Sequence, residues 1–347
     1  MMKTIYADAD RDSRQKTIYE GGSFRYEYKV DYPRNLPPEV ANGCIPGGCV
    51  GPDDTLYVVV RAKESMIAVL QPDGTFVRCI GRGQLGDNVH FIYYTPQDTL
   101  LVADSNHHIV RELTLEGQFV RDFGQYDHPS DTGMDVGYCA RTRRKALYPT
   151  EPCNAMPMTW MFVEAAKRRN RLGEPFNMPT DAGMTSQGEY VFTDGYGNTA
   201  VHIFDANGKL RKTWGGEGVW DVDTEAPGRF IIVHSLVVDK NDHIWVCERE
   251  KDAVQVFDTE GNCLAYIIHN LGQPSGVDTD GQYIYVIGRA GYLTIFDLDY
   301  HIVAQLGTFN SDLRAHDICV DSKGNLYLFP THANEDHQFI QLKRIQS

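Results

Sequence analysis

Apolar and polar residues alternate along most of this chain in short runs, and helical spacing is rare. Segments such as Ala200-Val201-His202-Ile203-Phe204, Val254-Gln255-Val256-Phe257, His243-Ile244-Trp245-Val246-Cys247 and Asn325-Leu326-Tyr327-Leu328-Phe329 read as short strands. Five stretches share one phrase, in which an acidic or amide residue and usually a glycine lead into an alternating strand. They cover residues 73–81, 116–124, 207–215 and 260–268, with a looser copy at 299–307. Asp73-Gly74, Asn207-Gly208 and Glu260-Gly261 suit tight hairpins, because glycine accepts a positive φ without strain. Each phrase follows one strand, and two more lie upstream of that. Four antiparallel strands in about 40 residues is the arithmetic of a propeller blade. A β-sandwich also has short strands, but it does not repeat one phrase at a nearly fixed period.

The repeats predict an all-β, six-bladed β-propeller, with blades near 43–81, 88–124, 177–215, 230–270, 271–307 and 313–345. Residues 23–30 alternate in strand fashion and are expected to pair with 338–343, closing the ring and covering a sheet edge. The whole of 1–347 reads as one domain. Residues 125–176 break the pattern with five prolines and a helix-like run at 158–171, a partly helical insertion. A segment of this length suits a lid, a subunit contact that would make a homo-oligomer, or a surface loop with a solvated basic face. Arg141, Arg143, Arg144 and Lys145 form a basic patch within it.

Composition narrows the class. A hydrophobic content of 42% with 23% charged residues is that of a soluble globular protein. The net charge of −14 repels phosphate backbones and anionic lipid, so nucleic acid and membrane surfaces are not expected partners. No apolar run reaches the roughly 20 residues that cross a bilayer. The acidic N-terminus lacks the apolar stretch of an export signal, and the eight cysteines are scattered without a CxxC pair. A reducing cytoplasm is the expected compartment.

Most of the twelve histidines follow no pattern, but three share one place in their repeats. His90, His234 and His316 each begin the innermost strand of a blade, in the second, fourth and sixth units. Inner strands line a propeller's channel, so residues in equivalent register on alternate blades converge with threefold geometry. Three imidazoles suit zinc with a fourth position left for water or substrate, and other late first-row divalent ions accept the same donors. A single histidine there would be read as structural; three in register point to a metal.

A series of motifs then carries a resemblance. Pro179-Thr180-Asp181, Asp194-Gly195-Tyr196-Gly197-Asn198, Trp214-Gly215, Val233-His234-Ser235-Leu236, Glu248-Arg249-Glu250, His316-Asp317-Ile318 and Thr331-His332-Ala333-Asn334 follow in order. This series resembles the peptidylamidoglycolate lyases (peptidyl-α-hydroxyglycine α-amidating lyases), propellers of NHL-type repeats, best over 177–260 and again over 313–335. The resemblance implies zinc on His90, His234 and His316, Tyr196 as base, Arg249 and Arg61 as substrate arginines, and a structural calcium held partly by Asp317. Arg61 is placed by blade register alone. It further implies cleavage of the C–N bond in an α-hydroxylated amide, ureide or related carbinolamine.

Two departures modify that picture. Positions that carry disulfides in secreted members of the family are Asn177, Gly197, Trp245 and Val256 here. Arg314 stands two residues before His316, where the animal enzymes have methionine, and adds a cation as a substrate contact. A small anionic substrate is therefore expected, its carboxylate on Arg249 with help from Arg314 or Arg61. Two other readings stay open: a zinc-dependent hydrolase of a small amide or lactone, and a non-enzymatic interaction scaffold. The second gives the axial histidines no purpose.

Overall fold

The hairpin phrases do what their composition demands. Gly74, Gly117, Gly208 and Gly261 sit at φ of 86°, 79°, 81° and 78°, each turning the third strand of a blade into the fourth. In the looser fifth copy Tyr300 takes the same left-handed conformation, at φ 70°. Its ring packs 5.4 Å from that of Trp245 and its hydroxyl lies 3.0 Å from Nδ1 of His243, contacts that offset the strain of a non-glycine residue there.

The computed structural model describes residues 17–29, 31–133, 169–219, 226–268, 270–330 and 339–346. It is a six-bladed β-propeller. The blades, inner strand first, begin with Gly48–Val50, Val89–Tyr94, Asp181–Met184, Val233–Val238, Pro274–Thr279 and Asp317–Val320. The inner strand of each blade touches that of the next, the sixth meeting the first. The last blade is composite. Its strand Ile340–Arg344 pairs with Phe24–Lys29, which in turn pairs with Ile18–Gly21, so both ends of the chain build one sheet.

There is no single core. Six apolar clusters fill the six spaces between neighbouring blades. Trp245, Cys247, Val254 and Val256 of blade four, for example, pack on Val277, Ile284, Val286 and Phe296 of blade five. Middle strands such as Leu56–Val60 and Ala253–Phe257 are buried along their whole length because a blade covers each face. That is why they read as nearly unbroken apolar runs.

Among the described residues helix is confined to Pro38–Ala41 and a 3-10 turn at Arg249–Lys251, and no helix is long and apolar enough to cross a membrane. The basic patch at 141–145 and most of the helix-like run at 158–171 lie outside the described residues, as does the subunit contact suggested for that insertion. Arg169, at the end of the run, is buried and not on a solvated face.

Two glycines with similar φ separate backbone strain from crowding. A Cβ on Gly117 would stand 2.2 Å from the Gly81 nitrogen, whereas Gly188, at φ 78°, has open space around it. Gly188→Ala is expected to cost about 1–2 kcal/mol, from the left-handed backbone alone. Gly117→Ala adds about 1–3 kcal/mol of overpacking. Thermal melts compare the two, and equal losses would show that the blade one–blade two contact yields freely.

Candidate metal centre

The three axial histidines are held by the neighbouring blades. His90 donates Nδ1–H to the Thr180 carbonyl at 2.8 Å, His234 to that of Ser275 at 2.6 Å, and His316 to that of Pro46 at 2.8 Å. A carbonyl can only accept, so Nδ1 carries the hydrogen and Nε2 a lone pair. All three rings are buried, with centroids 4.9, 4.9 and 4.8 Å apart, and their ligating atoms fall within 4.8 Å of one another. Phe91 closes the site from within the channel, packed 5.5 Å from the His234 ring and 5.0 Å from that of His316.

Burial pushes each imidazole pKa well below the ordinary histidine value, and neighbouring cations add to it. Arg61 and Arg249 act on His90, Arg249 on His234, and Arg61 and Arg289 on His316. The rings are therefore neutral, the form that binds metal. The Tyr196 hydroxyl lies 2.8 Å from Nε2 of His90 and 3.0 Å from Nε2 of His234. One phenol has one hydrogen, so at most one of those lone pairs is served by it. Converging imidazole lone pairs, each backed by a carbonyl on the far nitrogen, make a donor set that fits a divalent transition metal with an open position.

Tyr196 is placed by a turn that only particular residues allow. A Cβ on Gly195 would come 1.7 Å from the Val233 carbonyl oxygen, so glycine lets the turn lean on blade four. The Asp194 carboxylate accepts the Asn177 N–H and the Asn198 amide, at 2.8 and 2.9 Å to the same oxygen. Arg169 reaches in from outside the repeats, donating to the carbonyls of Gly195 at 3.0 Å and Asn198 at 2.6 Å and pairing with Glu217 at 3.1 Å. Nothing local in the sequence marks Arg169 for this role, because its partners are distant in the chain.

The arginines enter where second strands end. Arg61 follows Leu56–Val60, Arg249 follows Ile244–Glu248 and Arg289 follows Ile284–Gly288. Arg249 is buried, with Nε at 2.8 Å and Nη2 at 2.5 Å from one Glu250 oxygen, and its guanidinium carbon lies 5.9 Å from the Tyr196 ring centroid. Burial works against its charge, but Glu250 and then Tyr196 raise its pKa above the ordinary value. Arg61 bonds the Val89 carbonyl at 2.6 Å through Nε.

Arg289 was legible only as the blade-five counterpart of Arg61 and Arg249, a register that the motif series passes over. Arg314, two residues before His316, is half-buried, and its side chain has no hydrogen bond or ion pair among the described residues. Asp317 accepts the Gly48 N–H at 3.2 Å. With Asp181 and Asp278 it lines a cavity of about 50 Å³. Burial, then the other carboxylates, pushes its pKa well up, and burial lifts Asp181 and Asp278 to about 7.

Comparison with known proteins supports the fold and part of the sequence resemblance. No family model matches the chain. In fold it is similar to streptogramin B lyase, with a TM-score of 0.54 at 11% identity over 95% of this chain and 88% of that one. It is also similar to a catalytically inactive virginiamycin B lyase from Staphylococcus aureus with quinupristin, with a TM-score of 0.53 at 12% identity over 93% and 89%. In sequence it is 31% identical over 183 residues to peptidyl-glycine alpha-amidating monooxygenase A of Xenopus laevis, 47% of this chain but 19% of that protein. A shorter match, 34% identical over 87 residues, is to peptidylglycine alpha-amidating monooxygenase of Rattus norvegicus, 24% of this chain and 9% of that protein.

The two pairs of positions at which the resemblance implied disulfides in secreted proteins do meet. Trp245 stands opposite Val256 in register, and the Gly197 N–H donates to the Asn177 carbonyl at 2.9 Å. All the described cysteines are free.

The donor set predicts about one transition metal per chain, with zinc expected on three nitrogens. Elemental analysis of purified His234→Ala and His316→Ala should show that metal lost. Full stoichiometry in both variants would exclude the site.

Proposed function

We propose that this propeller is a zinc-dependent lyase that cleaves the C–N bond of an α-hydroxylated amide, ureide or similar carbinolamine bearing a carboxylate. The observation that carries the reading is the contact of one phenol with two axial imidazoles whose tautomer is set by backbone carbonyls. A bound zinc would supply Lewis acidity to the substrate hydroxyl and lower its pKa. Tyr196 takes the hydroxyl proton. Arg249 lies beside its ring, the guanidinium carbon 5.9 Å from the centroid, and orients the phenol for that transfer. As the hydroxyl oxygen becomes a carbonyl, the C–N bond breaks and the nitrogen leaves with a proton, so no water is consumed. From an N-acyl-α-hydroxyglycine the products are the acyl amide and glyoxylate.

Likeness to the amidating enzymes in sequence supports the reaction class, and the half-buried cations beside the histidines support an anionic substrate. Asp317, in the carboxylate-lined cavity beyond Phe91, suits an oxygen-liganded calcium with a structural role.

With N-acetyl-α-hydroxyglycine, the wild-type protein should yield acetamide and glyoxylate. Acetate in place of acetamide would establish a hydrolase instead. Tyr196→Phe should lower kcat by roughly 100-fold, the scale of a positioned general base, with metal content unchanged. A fully active Tyr196→Phe protein would remove the phenol from the mechanism.

A further inference from the structure

We propose that Arg289, with Arg61, is the residue pair that grips the substrate carboxylate over His316, and that Arg249 is instead a positioning residue for Tyr196. The inference rests on the lyase reading for the word substrate, but its geometry stands without it.

The order of blades around the ring supplies the argument. Neighbouring inner strands follow chain order and the sixth blade meets the first, so blade three lies across the axis from blade six. Tyr196 leaves the second strand of blade three and touches the histidines of the flanking blades, two and four. His316 belongs to blade six, flanked by blades five and one, and the second strands of those two blades end in Arg289 and Arg61. By blade order this arginine pair flanks His316, whereas the phenol lies between His90 and His234. A substrate whose hydroxyl faces Tyr196 and whose carboxylate lies over His316 reaches that pair.

The hydrogen bonds divide the three arginines in the same way. The Nε–Nη2 edge of Arg249 is spent on Glu250, which also neutralises its charge. Arg61 uses Nε on a backbone carbonyl and has no carboxylate partner among the described residues. The Arg289 side chain has no hydrogen bond or ion pair there at all. Burial, then the Arg249 guanidinium, lowers the Arg289 pKa, and the more distant influence of Tyr196 and Glu250 does not reverse it. Both Arg61 and Arg289 are half-buried and both act on His316. In a chain of net charge −14, two cations without a carboxylate bonded to either, beside neutral imidazoles, make a local field that an anion complements.

The probes are glycolate, an α-hydroxycarboxylate, and glycolamide, its neutral counterpart, titrated calorimetrically into metal-matched wild type, Arg289→Gln, Arg289→Lys and Arg249→Lys. Wild type should prefer glycolate. Arg289→Gln should weaken glycolate by roughly 10- to 100-fold, the worth of a charge-assisted contact, and leave glycolamide unchanged. Arg289→Lys should recover part of the loss, since it restores the charge without the planar fork. Arg249→Lys should keep glycolate affinity and lower kcat on N-acetyl-α-hydroxyglycine. Glycolate affinity in Arg289→Gln equal to wild type, or an equal loss for glycolamide, would overturn the assignment. If Arg289 governs glycolate binding but no hydroxyglycine is cleaved, the lyase reading fails and this one stands. Cleavage indifferent to Arg289 gives the reverse.

Discussion

The geometry of the molecule depends on closing a ring of twisted sheets. Each blade buries its faces only against its two neighbours, so no blade has a core of its own, and the last must meet the first for any of them to be complete. Pairing of Phe24–Lys29 with Ile340–Arg344 ties both ends of the chain into that last blade, Tyr19, Phe24 and Tyr26 fill the apolar layer between blades five and six, and Tyr327 and Phe329 pack on Val58 and Val60 of blade one. Full burial of one large apolar side chain contributes about 1.5–3 kcal/mol. Tyr19, Phe24 and Tyr26 therefore matter on the scale of a whole domain's net stability, about 5–15 kcal/mol.

The same closure builds the candidate metal centre. Bonds from Nδ1 to a carbonyl run from blade two to three, from four to five, and from six to the segment preceding blade one. Each histidine is thus oriented by its neighbour, and a ring that failed to close would leave His316 without Pro46. Precise ligand placement and global closure are one constraint.

Electrostatics around the axis are sorted by depth and by partner. Fully buried charges are compensated: Arg249 by Glu250, Arg169 by Glu217 and backbone carbonyls, Lys251 by Glu248 at 3.5 Å. Removing one partner of such a pair costs about 3–5 kcal/mol. Arg61 and Arg289 stay half-exposed, where water shares the cost of their charge. Beyond Phe91 the sign reverses, and Asp181, Asp278 and Asp317 share a small cavity in which burial favours protonation or a cation.

Periodicity made the repeated features legible. A side chain at a fixed place in a repeat occupies a fixed place in a blade, so His90, His234 and His316 could be placed on the axis, and the turn glycines assigned, from sequence alone. Arg61 followed from the same register. What lies outside the repeat was illegible, because its meaning is set by contacts between residues far apart in the chain. Arg169 is a basic residue at the end of a helix-like run until the fold brings Gly195, Asn198 and Glu217 around it. Arg314 and Arg289 are both arginines near the last blades, and only the ring order sets Arg289 on a blade that flanks His316. Sequence by itself determined the repeat, the blade count and the threefold donor set, since each depends on local spacing. The tertiary structure alone decided the tautomers of the histidines, the pairing of Arg249 with Glu250 and the side of the axis on which charge is left unmatched, since each depends on which blades become neighbours when the ring closes.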